Sequence, residues 1–218
     1  MSENVKPRRR YNSAARQRQA EENRRAILAA AREHFLQHGY AGTTVPGVAD
    51  VAGVSAETVY KAFGPKHELV RALWEHGLEG RGAVPAPERS DALSGAEQDP
   101  VALLRGWGQL AKEVSPEVSP VALLVRDAAA HDAEMAALLD EVDQQRRDRM
   151  RVNAQRLDSH GWLKPGVGVD RATDVLWTYT SHQFYELLVL KSGWDIEDYG
   201  DFICDSLIAA LLGAPRPS

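Results

Sequence analysis

The sequence predicts an all-α fold, with a small N-terminal domain of short helices followed by a larger helical domain. Residues that favour helices (Ala, Leu, Arg, Glu and Gln) dominate, and runs of alternating β-branched residues are missing. Apolar residues instead recur three and four positions apart through most of the chain. With 218 residues, of which 44% are hydrophobic, the chain is long enough to bury a core in one or two domains.

The N-terminal domain is predicted to span residues 20–80 and to begin with one long helix. That helix covers about residues 21–37 and ends at Gly39, because glycine adopts the left-handed conformation that closes a helix at low steric cost. Two short helices follow at Val45–Ala52 and Ala56–Phe63, and a fourth helix begins near Lys66. The apolar stripe of the long helix consists of Ile27, Ala30, Ala31 and Phe35.

Segments of biased composition flank this domain on both sides. Residues 1–19 are polar and basic and are predicted to form a flexible arm, with helix toward its end. Residues 81–99 are rich in Gly, Ala, Pro and Ser and are predicted to be a surface linker between the two domains.

The C-terminal domain is predicted to span residues 100–218 and to consist of amphipathic helices separated by short breaks. The breaks fall at Pro or Gly positions, among them Pro116, Pro120 and Gly193. The predicted helices are 101–114, 120–130, 133–159, 170–190 and 196–212.

The net charge of −5 is distributed unevenly along the chain. Residues 1–82 hold 13 Lys and Arg against 9 Asp and Glu, a balance of +4, whereas residues 83–218 hold 13 against 22, a balance of −9. A basic N-terminal part on an acidic body indicates that only the N-terminal part approaches a polyanion.

The spacing between residues 45 and 63 predicts that the two short helices pack across a tight turn as a helix-turn-helix. Ala49 permits a close crossing, and Gly53 can adopt the left-handed conformation that ends the first of these helices. Val54 and Val59 then point inward, and the Ser55 hydroxyl can cap the second helix. The second helix is left with one outward face that is available to enter a DNA groove.

Polar residues on and beside this outward face predict how DNA would be held. Thr44 begins the first short helix and Lys66 begins the fourth helix, where a side chain and backbone N–H groups can hold a phosphate. The second short helix offers a hydroxyl, a phenol and a cation to phosphates or base edges. The residues predicted to contact DNA are Thr43, Thr44, Ser55, Glu57, Thr58, Tyr60, Lys61 and Lys66, with Arg8, Arg9 and Arg10 of the arm.

Two of these groups keep a second interpretation. The arm either follows the minor groove or flanking phosphates, or it serves only as a solubilising tail. Glu57 either accepts a hydrogen bond from a cytosine N4 amino group or only favours the positive end of its helix.

A series of residues in fixed order and spacing carries a family resemblance. They are Ile27, Leu28, Ala31, Phe35, Gly39, Tyr40, Thr43, Thr44, Val45, Ala49, Ala52, Gly53, Val54, Ser55, Thr58, Val59, Tyr60, Phe63, Lys66 and Leu69. Over about residues 20–80, the sequence therefore resembles the tetracycline-repressor (TetR) family of bacterial transcription regulators. The resemblance implies an Ω-shaped homodimer in which each protomer places a recognition helix in the major groove of a palindromic operator. It also implies that a small ligand in the C-terminal domain lowers DNA affinity, that Thr44, Tyr60 and Lys66 contact phosphates, and that Thr58 faces the bases.

Some positions depart from the usual family pattern. Pro46 and Gly47 stand where charged or helix-favouring residues are more common, and they weaken the first turn of their helix. Ala62 stands where a larger side chain is frequent, so that one contact to the DNA backbone is expected to be missing.

The C-terminal domain is expected to supply dimerisation and ligand binding. The predicted helix 170–190 is apolar on several faces, which indicates a partner beyond its own core, such as the same helices of a second protomer. The predicted dimer interface consists of Val175, Tyr179, Phe184, Leu188, Phe202, Ile203, Leu207 and Leu211. The predicted ligand pocket consists of Trp107, Leu110, Leu123, His131, Met135, Leu139, Trp177 and His182.

The main alternative is a metal-dependent helical enzyme that uses the region of His182 and Glu186, which lie four residues apart on one predicted helix. His34 and His38 share that spacing, but neither pair has the further ligands that a closed site requires, so no metal, cofactor or catalytic group is assigned. A third alternative is an N-terminal domain that has become an interaction module only. The lone Cys204 is expected to be a buried small hydrophobe. The lack of a long apolar segment favours a cytoplasmic protein without a membrane partner.

Overall fold

The computed structural model describes residues 9–80 and 84–213, with side chains described from residue 15 onward. The described residues form α-helices, a π-helical segment and one isolated bridge between Leu163 and Leu212, and they contain no strand. The predicted all-α fold is therefore confirmed. The chain divides into two compact units, Met1–Leu73 and Trp74–Ser218, with the boundary inside the fourth helix.

The helices follow one another along both units. They are α1 (Arg9–Gly42), α2 (Val45–Ala52), α3 (Ala56–Phe63), α4 (Lys66–Glu79), α5 (Ala86–Ala96), α6 (Pro100–Ala129), α7 (Ala133–Ser159), α8 (Val169–Tyr179), α9 (His182–Tyr185), the π-helical segment Glu186–Lys191 and α10 (Ile196–Leu211). None of the described helices is long and apolar enough to span a membrane.

Helix α1 is longer than the sequence pattern predicts. It begins at Arg9 rather than near residue 21, so the helix predicted toward the end of the arm is present and starts earlier than expected. The Ala, Arg, Gln and Glu residues of this segment are good helix formers, which lets the helix extend beyond the stretch that is held by packing. Residues 1–8 lie outside the described part of the chain. At Gly39 (φ 69°, ψ 176°) the backbone leaves the helical conformation, as predicted, and the short turn after this kink, up to Gly42, is counted with α1.

The core of the N-terminal unit forms where α1 and α3 pack on α2. Ile27, Ala31 and Phe35 of the predicted α1 stripe are almost fully buried. Ala49 of α2 and Val59 of α3 are equally buried, as the helix-turn-helix spacing predicts. The small Ala49 side chain is what permits the close approach.

Local capping determines where α2 and α3 begin and end. The Thr44 hydroxyl caps α2 by accepting a hydrogen bond from the Gly47 backbone N–H (3.2 Å), and Pro46 occupies the first turn, where no N–H is needed. Gly53 ends α2 with φ 67° and ψ 31°, and the Ser55 hydroxyl caps α3 by accepting from the Thr58 backbone N–H (3.1 Å). The departure at Pro46 and Gly47 therefore leaves the turn of α2 intact.

We expect Gly53→Ala to lower the free energy of unfolding by about 1 kcal/mol, because an alanine pays a steric cost in the left-handed conformation. A Cβ at residue 53 would meet no atom within 4 Å, so crowding cannot contribute to the loss. Gly53→Asn should lose less, because asparagine tolerates this conformation. Urea denaturation measures both, and equal losses for the two variants would contradict the conformational explanation.

The C-terminal unit contains a second core in which α6, α7, α8 and α10 pack together. Its buried members include Leu104 of α6, Leu157 of α7, Leu176 of α8 and Ile203 of α10. The predicted helix at residues 133–159 matches α7 at both ends.

The predicted linker contains a helix, contrary to expectation. Helix α5 lies within residues 81–99 and packs on α6 and α7 with Ala86 and Ser90 buried. Arg89 donates to the carboxylate of Glu113 on α6 (2.8 Å), and Asp91 accepts from Arg149 on α7. These ion pairs to two neighbouring helices hold a segment whose composition alone indicates a loop.

Two further expectations fail at the level of single helices. Helix α6 is continuous through Pro116 and Pro120, although each proline removes one backbone donor. The apolar residues around them, Val118 and Val121, are buried, and this packing offsets the missing hydrogen bonds. The predicted helix 170–190 is broken after Tyr179 and continues as α9 and the π-helical segment.

Candidate DNA-binding surface and ligand cavity

The outward face of α3 is the candidate DNA-binding surface of the N-terminal unit. Glu57, Tyr60 and Lys61 are exposed on this short helix, and half of the Tyr60 surface (51%) is open to solvent. Their spacing of three and four residues places them on one side of the helix, opposite the buried Val59 and Phe63. A phenol, a cation and a carboxylate on one exposed helix face can contact phosphates and base edges.

The N-terminus of α2 forms a second polar surface of the same unit. Thr44 is exposed, and its hydroxyl and the first N–H groups of α2 lie at the positive end of the helix. A phosphate at this end would accept from those N–H groups. Thr44 therefore lies where the sequence predicts a phosphate contact.

The hydroxyl groups of the exposed Ser55 and the half-buried Thr58 are hydrogen-bonded to each other. Their hydroxyl oxygens are 2.8 Å apart, and Ser55 also caps α3. Thr58 is half-buried, so any contact from its hydroxyl to a base must compete with the bond to Ser55. The pair fixes the first turn of α3 and leaves Glu57, Tyr60 and Lys61 as the more accessible side chains.

Thr43 and Lys66 have structural roles that the sequence pattern does not show. Thr43 is 1% exposed, and its hydroxyl donates to the carbonyl oxygens of Gly39 (2.8 Å) and His34 (3.2 Å). The prediction that its side chain contacts DNA is therefore wrong. The Lys66 ammonium donates to the carbonyl oxygens of Tyr40 (2.9 Å) and Thr43 (3.3 Å) and lies over the Tyr40 ring. Lys66 thus links the start of α4 to the end of α1. A phosphate would have to compete with these two carbonyl oxygens for the hydrogen bonds of its ammonium group.

The basic arm contributes no described contact. Arg8 lies outside the described residues, and Arg9 and Arg10 begin α1 with side chains that are not described. Their contact with DNA remains a prediction.

The C-terminal unit contains a mostly apolar, partly open cavity of about 320 Å³, within the size range of small-molecule sites. Helices α4 to α10 contribute to its wall, and α6 and α7 contribute most of the lining residues. Of the eight predicted pocket residues, Trp107, Leu110 and His182 line the cavity. The other five, which lie elsewhere, are Leu123, His131, Met135, Leu139 and Trp177.

The misplaced pocket residues have identifiable positions. Leu123 and Met135 are buried in core packing, and His131 is exposed just after the end of α6. Trp177 holds the guanidinium groups of Arg146 and Arg147 against its ring instead of facing the cavity. Apolar character alone does not tell which face of a helix meets a cavity, so the sequence could not show that these residues lie away from it.

His182 is a half-buried, neutral histidine in the cavity wall, with its Nε2 atom shielded from solvent. Its Nδ1 atom lies 3.1 Å from the Ser119 hydroxyl, its ring packs edge-on against Trp74, and its Nε2 atom has no partner. Burial, together with the charge of Arg146, lowers the pKa of His182 to about 3. Ser119 is therefore the polar partner of this histidine in an otherwise mostly apolar wall.

Other polar groups of the wall lie on α7 and were not predicted. Arg146, Arg149 and Asn153 line the cavity from this helix. Eight of the twelve residues 140–151 are charged, which is typical of a solvated helix face, so composition gives no signal for them. Their spacing of three to four residues is the one available indication that they share a side of α7.

His182 and Glu186, the residues of the metal-site alternative, each bind their own protein partners and not a common site. Glu186 accepts from Arg126 (2.7 Å) and Lys191 (2.9 Å), whose hydrogen bonds lower the pKa of Glu186 to about 2. His182 binds Ser119 instead. Within residues 9–80 and 84–213, no three His, Cys, Asp or Glu side chains come together in a way that could hold a metal ion.

The predicted dimer interface divides into buried and exposed residues. Ile203, Leu207 and Leu211 are buried in the core of their own protomer, so the prediction is wrong for these three. Val175, Tyr179, Phe184 and Leu188 are half-buried against the same core. Phe202 is 38% exposed, and the other large exposed apolar residues nearby in sequence are Leu187, Leu190 and Trp194.

Cys204 is buried, and burial raises the pKa of its thiol above the usual range. A protonated, covered thiol on α10 behaves as a small packing residue, as the sequence predicts.

Comparison with known proteins identifies related chains. Residues 27–73 match the family model of bacterial regulatory proteins of the tetR family. The probable HTH-type transcriptional regulator ArpR of Pseudomonas putida is 26% identical over 193 residues, which cover 82% of this chain and 86% of that protein.

Solved structures share the fold over nearly their whole length. NalD, the secondary repressor of the MexAB-OprM multidrug efflux pump in Pseudomonas aeruginosa, matches with a TM-score of 0.67 at 20% identity, covering 89% of this chain and 97% of that one. SmeT in complex with triclosan matches with a TM-score of 0.68 at 22% identity, covering 90% of this chain and 99% of that one. The matched proteins are transcriptional regulators rather than enzymes.

Proposed function

Because this chain is a transcriptional regulator of the tetR family and not an enzyme, we propose that it represses transcription as a homodimer on a palindromic operator and that a small molecule in its cavity releases it. One observation carries this proposal. The chain combines an exposed, polar recognition helix in one unit with an apolar cavity in the other. Its site of action is then the bacterial chromosome, in the cytoplasm.

The DNA-binding part of the proposal rests on the exposed face of α3. Tyr60 and Lys61 hold phosphates or base edges there, and Thr44 with the N-terminus of α2 holds a further phosphate. Glu57 lies on the same face and either accepts from cytosine or repels the backbone. Ala62 is exposed beside them, and its short side chain does not contribute a contact to the DNA backbone.

The ligand-binding part rests on the cavity wall. Trp74 and Leu78 of α4 line the cavity, and the same helix begins at Lys66 in the N-terminal unit. A ligand that contacts these residues therefore acts on a helix that both units share. The relatives support a mostly apolar ligand, since NalD represses a multidrug efflux pump and SmeT has been solved with triclosan.

The homodimer rests on exposed apolar side chains of the C-terminal unit. Leu187 and Leu190 are each 53% exposed, and Trp194 packs edge-on against Phe202 at 5.6 Å. Large apolar residues exposed together indicate an interaction surface, and a second copy of the chain covers it in the proposed dimer.

We expect Leu187→Asp to shift the protein from dimer to monomer, because the carboxylate would be buried without a partner in the dimer. Sedimentation velocity should show at least about a tenfold rise in the dissociation constant, since such burial costs more than ~1.4 kcal/mol. Val152→Asp, at a similarly exposed residue of α7, is the matched control and should remain dimeric. A Leu187→Asp protein that dimerises like the wild type would contradict the proposed interface.

DNA binding itself is tested with labelled duplexes from the region upstream of the protein's own gene and with scrambled duplexes of the same length. Fluorescence anisotropy should show preference for one palindromic segment and a steep loss of affinity with added salt, because bound cations displace counterions from DNA. An affinity that is the same for every duplex and unchanged between about 50 and 200 mM salt would contradict the function.

A further inference from the structure

The charges in the cavity wall are all of one sign. Arg146 and Arg149 line the cavity, and none of the described residues that line it is acidic. His182 adds no charge, because its lowered pKa keeps the imidazole neutral. The wall therefore offers positive charge and no negative charge to whatever the cavity holds.

The two arginines differ in how completely they are paired. Arg149 donates from both terminal nitrogens to the carboxylate of Asp91 and also to the Pro87 carbonyl oxygen. Arg146 donates to the Trp177 carbonyl oxygen (2.6 Å), and its nearest carboxylate, Asp143, is 3.6 Å away. Arg149 is thus held by a bidentate ion pair at hydrogen-bond distance, whereas Arg146 has one longer ion pair, to a half-exposed carboxylate, that compensates its charge less completely.

Arg146 is also the more deeply buried cation. Its side chain is 11% exposed, and its Nε–H group is buried without a partner. Burial lowers the pKa of Arg146, whereas ion pairs raise the pKa of Arg89 and Arg126. A guanidinium stays protonated in proteins, so this desolvation remains as an unfavourable free energy that a nearby anion would relieve.

The remaining unpaired groups of the wall are mainly donors. The indole N–H groups of Trp74 and Trp107 are buried without a partner, and an indole can only donate. Asn153 has an unpaired carbonyl oxygen, which accepts, and the unpaired Nε2 atom of the neutral His182 donates or accepts according to its tautomer. A ligand that presents acceptor atoms would satisfy more of the wall than one that presents donors.

We propose that the effector is an organic anion, in which a carboxylate or ionised phenol pairs with Arg146 and an aromatic or alicyclic body fills the apolar part of the cavity. This inference rests on the proposed ligand-binding function and specifies the ligand class. Arg146 would bind the anion with charge-assisted hydrogen bonds, and the two tryptophans would contact the body. A cationic amphiphile would be repelled by the same incompletely compensated guanidinium and is disfavoured.

The test compares three ligands that share one ring system and differ in charge: 2-naphthoate, 2-naphthalenemethanol and 2-naphthylmethylammonium. Isothermal titration calorimetry with the full-length protein should give the order anion, neutral, cation, with the anion about tenfold or more tighter than the alcohol. This order of affinities is measured on the wild-type protein, so it does not depend on whether a variant folds.

The role of Arg146 is tested with Arg146→Met, which keeps an unbranched apolar side chain in place of the arginine methylene groups but removes the guanidinium and its charge. The preference for naphthoate over the alcohol should fall to about threefold or less. Arg151→Met is the matched control on α7, because Arg151 is half exposed, binds Asp170 and does not line the cavity. The control should keep the wild-type preference.

The possible results separate the inference from the function on which it rests. If the alcohol or the ammonium binds best and releases DNA, the cavity is a ligand site but the inferred anion class is wrong. If Arg146→Met keeps the full anion preference, the assignment to Arg146 is wrong. If none of the three ligands binds, both the inference and the ligand-binding part of the function are contradicted.

Discussion

Lys61→Glu should lower operator affinity about a hundredfold or more at moderate salt, the largest effect expected of any single change on the surface of this protein. Lys61 is exposed on the outward face of α3, beside Tyr60 and one turn from Glu57. Reversal of its charge replaces an attraction to phosphate by a repulsion, and it adds to the charge of Glu57 on the same face. In a homodimer the change occurs in both recognition helices, so the two losses combine.

Fluorescence anisotropy over a salt series measures both the fall in affinity and its origin. The slope of log affinity against log salt should decrease by about one for each phosphate that the variant no longer neutralises. Arg151→Glu carries the same change of charge on an exposed residue of the C-terminal unit and should leave affinity and slope almost unchanged. If both variants bind the operator equally weakly, overall charge rather than the α3 surface controls binding.

The parts of the structure that depend on local chemistry could be predicted from the sequence. Gly39 and Gly53 end their helices in the left-handed region because a side chain there is costly, and this holds whatever surrounds them. Ser55 caps α3 because its hydroxyl can reach the free N–H groups of the next turn. The helix-turn-helix is built almost entirely from such local rules.

The parts that depend on interactions between distant segments could not be predicted. Lys66 has the position of a phosphate ligand, but its ammonium binds carbonyl oxygens 23 and 26 residues earlier in the chain. The role of Arg146 depends on which side of α7 the cavity occupies, and a helix rich in charges does not reveal this. Helix α6 continues through Pro116 because neighbouring helices bury the residues around it.

Gly200→Ala should produce the largest loss of stability among the conservative changes considered, about 2 kcal/mol or more. Gly200 lies on α10, where the buried side chain of Lys112 from α6 runs directly over its Cα atom. A Cβ at residue 200 would lie 2.6 Å from Lys112 Cδ and nearer still to Cγ and Cε. Because these are the middle of the side chain, the lysine cannot simply swing its end away, and either the helices separate or Lys112 is displaced.

Displacement of Lys112 would also break the hydrogen bonds that join the two helices. Its ammonium donates to Asp201 (2.7 Å) and Glu197 (2.8 Å) on α10, and these hydrogen bonds raise the pKa of Lys112. Both carboxylates are largely exposed, so each pair contributes little by itself, and most of the expected destabilisation comes from the steric conflict. Gly200 thus stabilises the protein mainly because it permits the close approach of α6 and α10, and the ion pairs of Lys112 contribute less.

Thermal and urea denaturation of a double-mutant cycle can separate these contributions. Lys112→Ala removes the atoms that the new Cβ would meet, so Gly200→Ala should cost far less in the Lys112→Ala background, with a coupling of about 1 kcal/mol or more. Gly106→Ala on α6 is the matched control, because its Cβ would make an ordinary 3.4 Å contact with Leu93 and alanine favours a helix. If the losses in free energy of unfolding for Lys112→Ala and Gly200→Ala were additive, the two residues would not interact where α6 and α10 cross. The close packing of α6 on α10 would then need another explanation.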